Sequence, residues 1–276
     1  MKSGGAATKA LKTMLGRAAG LTGIYSRRFR SAMTIVAFHR VNDGQAEDGL
    51  TCSSAKFTAF CRFFRRHFRV VPLAEQVAGC QAGRDMGGTL SITFDDGYLD
   101  NFTVAAPILK SLGLPATFFV TSGFIATGTV APWDTELTVP AGWMTWDHVR
   151  ALISQGFEIG SHTETHIDMG TASVATVRAE LETSKRRILA ETGVAVSLFA
   201  YPFGGHEHLS ERSRELVREA GFACCASCHG GVNPPVADPY ALNRIGIAEW
   251  FDTPDQFGFE LFTNRTELSP GSVAHA

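Results

Sequence analysis

Short apolar runs separated by longer periodic stretches give this chain its rhythm. Runs at 33–38 (MTIVAF), 90–94 (LSITF), 116–120 (ATFFV), 157–160 (FEIG), 197–200 (SLFA), 222–227 and 242–247 read as strands, with Val70-Val71 as a brief extra one. Several are apolar without alternation, as expected of strands buried on both faces of a parallel sheet. Between them lie helical stretches. The first, 53–68, follows Ser53-Ser54 as cap and sets Phe57, Phe60, Cys61, Phe64 and Phe68 at helical spacing. Others are predicted at 73–81, at 99–112 before Gly113-Leu114-Pro115, at 145–154 behind Thr145, at 173–191 ahead of Gly193, and at 210–220. Regular alternation of strand and helix predicts parallel βαβ units, in an open sheet or a barrel.

Polar residues then single out one end of these strands. His39, Asp95-Asp96, His162 and the turn Tyr201-Pro202-Phe203-Gly204-Gly205 each fall just after a predicted strand. In barrels the loops after strand carboxyl ends build the site, so this clustering favours a barrel with one active face. The irregular stretch 121–142, with Pro132, Trp133, Asp134 and Pro140, has the length of a functional loop. The expected division is an N-terminal helical extension (1–30), a main domain (31–250) and a peripheral C-terminal segment (251–276).

Composition narrows the setting. The 276 residues are 45% hydrophobic, enough for one sizeable core, and 25 basic against 27 acidic residues give a net charge of −2 that argues against a nucleic-acid partner. Six cysteines show no disulfide-framework spacing, the N-terminus lacks an uninterrupted apolar leader, and no run approaches the roughly 18 apolar residues of a membrane span. A cytoplasmic location is the expectation. Residues 11–30 are basic and mildly amphipathic; they suit a helix packed on the domain or a weak peripheral contact with an anionic membrane. The oligomeric state has no signature.

Chemistry concentrates in two short motifs. Thr93-Phe94-Asp95-Asp96-Gly97 sets two carboxylates side by side, which is costly unless a positive group takes one of them. An Asp-Asp-Gly turn is the plain alternative. His162-Thr163-Glu164-Thr165-His166 spaces two imidazoles four residues apart, which on a helical turn puts them on one side. Two histidines and one carboxylate suit Zn²⁺ or a similar divalent ion, with positions left for water. The residue after His162 is Thr163, so this is not the zincin pattern.

With these two motifs the chain resembles the polysaccharide deacetylases, which carry the NodB homology domain and form carbohydrate esterase family 4. The family's T-F-D-D-G stands unchanged at 93–97 and its H-[ST]-x-x-H at 162–166, within a resemblance spanning about 33–247. The resemblance implies a distorted (β/α)7 barrel, the NodB-like glycoside hydrolase–deacetylase fold. It also implies a divalent metal on Asp96, His162 and His166, Zn²⁺ first, with Co²⁺ or another first-row ion as alternatives. Asp95 becomes the base that takes a proton from the attacking water, and the products are acetate and an amine on the sugar. The expected substrate is an N-acetylated sugar polymer or precursor, in cell-surface polysaccharide biosynthesis.

Three departures accompany the match. The third motif, R-x-P-[YF], is met by Pro202 and Phe203, whose N–H becomes the expected oxyanion donor, but Ala200 stands in place of the arginine. Arg244 is the candidate replacement, with a rim salt bridge as its other reading. The fourth and fifth motifs are not recognisable; His39 is the proposed general acid, against a structural role. Tyr201 and Trp133 are expected to touch substrate, and Trp146 to stack on a sugar ring or, equally, to sit in the core. Two other activities stay open: hydrolysis of another small amide, such as a formamide on a sugar lipid, and a catalytically silent sugar-binding module. Finally, Cys225-Ala226-Ser227-Cys228-His229 matches the haem-attachment pattern C-x-x-C-H, although buried reduced cysteines are the expectation there.

Overall fold

The apolar run after Met33 forms β1 (Thr34–Phe38), whose five residues are all buried. In this computed structural model, which describes residues 6–22, 25, 29–137, 141–228, 230–248 and 250–263, β1 is paired in parallel along both edges. On one side lies β5 (Thr89–Phe94), in register from Thr34–Leu90 to Phe38–Phe94; on the other lies β8 (Ile245–Gly246). β6 (Thr117–Val120) extends the sheet from β5, and β7 (Glu158–Ser161) extends it from β6, both parallel. Beyond β7 the sheet continues by single parallel bridges: Ser161 to Phe199, Ala200 to Ala226, and Ala226 to Leu242, which leads into β8. The sheet therefore closes on itself. Seven parallel stretches make a distorted (β/α)7 barrel, as the alternation and the resemblance led us to expect.

Two of the seven are reduced almost to nothing. The runs 197–200 and 222–227, expected as strands, keep their place through a few bonds such as Ala226 N–H to Phe199 O (3.0 Å) and Ser227 N–H to Leu242 O (2.9 Å). The barrel is loosest on this side. Three short strands lie outside the ring: β2 (Arg40–Val41) pairs with β3 (Thr51–Cys52) beyond the carboxyl end of β1, and β4 (Arg69–Val70) pairs with the start of β5.

Aromatic packing fills the space between barrel and helices. α2 (Ser54–His67) starts where Ser53 Oγ accepts the Lys56 N–H, and it buries Phe57, Phe60, Phe63 and Phe64. Phe57 meets Phe38 and Phe94 edge-on, and Phe94 stacks on Phe118 with centroids 4.8 Å apart. α3 (Leu73–Gln81), α5 (Trp146–Ser154), α6 (Val174–Thr192) and α7 (Glu211–Glu219) follow the predicted spans within a residue or two. The helix expected at 99–112 is divided. Residues Asn101–Ala105 form a π turn, and the α-helical part, α4 (Ala106–Leu112), starts only there. Pro107 explains it, since it has no N–H for the regular bond to Thr103.

The first and last described helices pack together. α1 (Ala6–Leu21) lies against α8 (Pro254–Thr263) so closely that a Cβ on Gly16 would stand 1.9 Å from the Asp255 carbonyl oxygen. Tyr25 is buried beside them and donates to Gly16 O. Phe257 and Leu261 of α8 are buried as well, so 251–263 contributes to the packed body, while 264–276 falls outside the described residues. Among the described residues no helix is long and apolar enough to cross a membrane.

Candidate active site

Asp95 and Asp96 leave the carboxyl end of β5 through a backbone that few residues tolerate. Asp96 has φ 72° and Gly97 φ 95°, and a Cβ on Gly97 would meet Ile125 Cδ1 at 2.7 Å, so glycine is needed there both for conformation and for room. Thr163, His166 and Phe203 are also at positive φ, at 66°, 60° and 62°. Among the described residues, four of the five such non-glycine positions thus lie in this one region. Strain of about 1–3 kcal/mol per position survives only where surrounding structure enforces it, and it collects at functional sites.

The positive partner that the adjacent carboxylates required is a fixed cation for one of them, Asp95. Asp95 is gripped by Arg244, whose Nη1 and Nη2 each donate to a different carboxylate oxygen at 2.7 Å. Arg244 is fully buried; it also donates to Thr93 Oγ1 at 3.0 Å and to the Ser227 carbonyl, and it packs over the Phe119 ring. Burial alone pushes the Asp95 carboxyl upward, but the Arg244 guanidinium, helped by His162, outweighs it and holds Asp95 below the ordinary carboxylate range. The rim salt-bridge reading of Arg244 is thereby replaced by a buried bidentate clamp.

Asp96 faces the histidines instead. Its Oδ1 lies 3.4 Å from His162 Nε2 and 3.3 Å from His166 Nε2, and although fully buried it accepts no hydrogen bond from the described residues; burial pushes the carboxyl up, but His166, His39 and His162 hold it below the ordinary range. His162 Nδ1 stands 2.8 Å from the Ala200 carbonyl, which can only accept, so Nδ1 carries the proton and Nε2 presents its lone pair to the site. Burial first of all lowers the His162 pKa, to about 4, so the ring is neutral at pH 7. The motif works through a loop and not through the expected helical turn. Thr163 Oγ1 accepts the His166 N–H at 3.0 Å, and Glu180 accepts the Glu164 and Thr165 N–H groups at 2.8 Å each. These bonds, with the positive φ at Thr163 and His166, aim both rings at Asp96.

A carboxylate oxygen and two imidazole nitrogens, buried and with Oδ1 unpartnered, fit a first-row divalent ion. A second donor set, His39, Asp95 and Cys228, also comes within 4.8 Å. It does not suit a cation, because both Asp95 oxygens already carry charge-assisted bonds from Arg244. Burial pushes the Cys228 thiol up to about 11.

The remaining expected residues are placed as follows. His39 Nε2 stands 3.9 Å from Asp95 Oδ2 with the side chain part-exposed, and the His39 carbonyl accepts the Asn101 amide at 2.6 Å. Burial lowers the His39 pKa against the pull of Asp96 and Asp95. Phe203 lies exposed at the mouth, its ring 4.8 Å from His166. Trp133 also packs on His166, at 4.3 Å. Tyr201, expected to touch substrate, is instead buried, and its hydroxyl donates to Gly204 O at 3.1 Å, so it holds the Pro202–Gly204 turn from behind. Trp146 is buried in the core cluster, the second of its two readings. In the haem-like motif Cys225 is buried with a thiol raised by desolvation, which leaves no access for attachment; His229 lies outside the described residues.

Sequence reasoning missed the network behind Trp133. Its indole N–H donates to Tyr98 Oη at 2.8 Å, Tyr98 donates to Asp134 Oδ2 at 2.8 Å, and Asp134 pairs with the buried Arg40. Arg40 also holds Asp48 and Thr51, tying the long loop to the β2–β3 pair. The only sequence signals were an arginine directly after His39 and Pro-Trp-Asp within the long loop. Tyr98→Phe removes two hydrogen bonds, from Trp133 and to Asp134, and is expected to raise KM about 3- to 10-fold with kcat kept, since only the Trp133 bond, worth about 1 kcal/mol, acts on the wall of the site. Steady-state kinetics on a soluble acetylated oligosaccharide read that split.

A polysaccharide deacetylase family model matches residues 82–225. The putative polysaccharide deacetylase YxkH of Bacillus subtilis is 24% identical over 157 residues, 57% of this chain and 50% of that one. The peptidoglycan-N-acetylmuramic acid deacetylase PdaA of Bacillus subtilis is 23% identical over 176 residues, 63% of this chain and 60% of that one. The chain spans about half the length of the curated relatives it matches. Among solved structures, Streptococcus pyogenes deacetylase PplD in complex with acetate superposes with TM-score 0.69 at 19% identity, covering 87% of this chain and 99% of that one. IcaB from Ammonifex degensii gives 0.66 at 22%, covering 83% and 96%. At such identities these structures establish the shared fold.

Proposed function

The chain belongs to the polysaccharide deacetylase family, and from that premise we propose that it is a metal-dependent hydrolase that removes N-acetyl groups from an amino-sugar glycan or glycan precursor. The observation that carries this reading is the division of labour between adjacent carboxylates: Asp95 is clamped by Arg244, and Asp96 is free of it and faces two histidines. The domain that performs the chemistry is 31–250, flanked by 1–30 and 251–276.

Asp96, His162 and His166 would hold the cation, Zn²⁺ or Co²⁺ by donor chemistry. When bound, it supplies Lewis acidity, easing deprotonation of a water and stabilising charge on the amide oxygen. This chain's residues do the rest. Asp95, kept ionised and oriented by Arg244, accepts the water's proton. The Phe203 N–H, in a turn braced by Tyr201, is the amide aimed at the developing oxyanion. His39, beside Asp95 and part-exposed, donates a proton to the leaving amine. Trp133 and Phe203, with ring centroids 6.3 Å apart, both pack on His166 and would shield that part of the site.

The test is acetate release from acetylated chito-oligomers with Zn²⁺ or Co²⁺ added. Asp95→Asn is expected to lower kcat by about 10²- to 10⁴-fold, the range of general-base catalysis, with metal content unchanged. Unaltered activity in that variant would reject Asp95 as base. Formate release in place of acetate would move the substrate to another amide, and a wild-type protein that releases neither would be a silent sugar-binding module.

A further inference from the structure

One face of α1 carries an apolar row that none of the described residues covers. Leu11, Met14, Leu15 and Leu21 are 56%, 71%, 46% and 73% exposed, at spacings that place them along the outer side of the helix. The helix cannot roll to hide them. Its inner side is locked against the body by Gly16 on the Asp255 backbone, by Gly20 on Tyr25, and by a 3.0 Å hydrogen bond between the Thr13 and Thr253 hydroxyls.

Charge says what covers this face. The first acidic residue of the chain is Asp43, whereas Lys2, Lys9, Lys12, Arg17, Arg27, Arg28, Arg30 and Arg40 precede it. On the body behind α1, Asp252 and Glu260 are already paired with Lys9 and Lys12, and Asp255 lies on the inner side of the helix, against Gly16. Arg17 is exposed beside the row, and Gly20 lies against His67, which brings the far end of α1 to the basic last turn of α2, where Arg66 is exposed. An apolar row alone would suit a groove on any protein. An apolar row within an acid-free, basic segment suits an anionic lipid surface, with apolar side chains at the acyl boundary and cations at the headgroups.

We propose that α1 docks the protein on anionic lipid bilayers, lying in the interface plane. At 16 residues the helix is far short of a span. The proposal is independent of the deacetylase reading.

Full-length protein should co-sediment with phosphatidylcholine vesicles containing about 30% phosphatidylserine, at least about 10-fold more tightly than with phosphatidylcholine alone, and release as salt rises. Leu11→Ser with Met14→Ser should lose that binding about 10-fold or more while keeping the wild-type Tm and wild-type acetate release from soluble oligomers. Arg17→Glu, which leaves the apolar row intact, should weaken only the anionic-vesicle binding. The proposal is overturned if wild-type protein ignores anionic vesicles or binds both compositions equally. It is likewise overturned if light scattering shows a dimer that the Leu11/Met14 substitutions dissolve, since the face would then belong to a second copy.

Discussion

Arg244→Gln is expected to disable the base without touching a metal ligand, and to do so in two separable ways. The first is stability. Asp95 and Arg244 are both buried, and removing the cation leaves a buried carboxylate whose two strongest bonds are gone. Breaking such a pair costs about 3–5 kcal/mol, or a Tm drop on the order of 10 °C in a chain of this size. The second is the pH profile. In the wild type the folded Asp95 pKa is depressed, so its ionised form is favoured by folding, and that stabilisation is lost only as pH falls through the depressed value. Without Arg244, burial is opposed only by His162 and His39, and the Asp95 pKa climbs. The acid limb of kcat/KM should therefore move to higher pH, with activity recovering in alkali. Arg244→Lys keeps the charge but not the fork, and should fall between the two. A Gln variant with the wild-type acid limb and Tm would mean that Arg244 neither orients nor ionises Asp95.

That clamp also shows how far local pattern reaches. The seven barrel positions were legible as apolar runs, because a strand buried on both faces leaves its mark in consecutive residues. The two weakest, around Phe199 and Ala226, were legible as runs but not as single bridges, since pairing length depends on neighbours that the run does not name. Asp95, Asp96, His162 and His166 stood out because their motifs are short and contiguous. The path of 162–166 did not, because its turn is set by Glu180 and by φ values that no periodicity encodes. Arg244 could be nominated only because it opened the strand that closes the barrel beside β1. Arg40, Tyr98 and Asp134 could not be joined at all: their contacts span up to 94 positions and concern a loop without period. Tyr201 was misplaced for a simpler reason, since nothing in Tyr-Pro-Phe-Gly says which aromatic ring of the turn faces in.

Metal removal should reveal the other half of the site through stability. Asp96 Oδ1 is buried without a hydrogen bond from the described residues, so in the metal-free fold its charge, which burial disfavours, is offset only through the nearby His166, His39 and His162 rings. An ion that binds only the folded state at a thousand times its Kd adds about 4 kcal/mol. Chelation should accordingly lower Tm by on the order of 10 °C, and added Zn²⁺ or Co²⁺ should restore it. Asp96→Asn separates this from a general loss of packing. The variant should show no metal-dependent shift, because a neutral amide is a poor ligand. Its metal-free Tm should stay close to that of metal-free wild type, because the isosteric amide keeps the packing while burial and the histidines act on the lost charge in opposite directions. Differential scanning calorimetry of both proteins, with and without chelator, gives the four values needed. A metal-free variant markedly less stable than metal-free wild type would show that Asp96 is balanced from within the fold, and the case for a cation at Asp96, His162 and His166 would lose its physical basis.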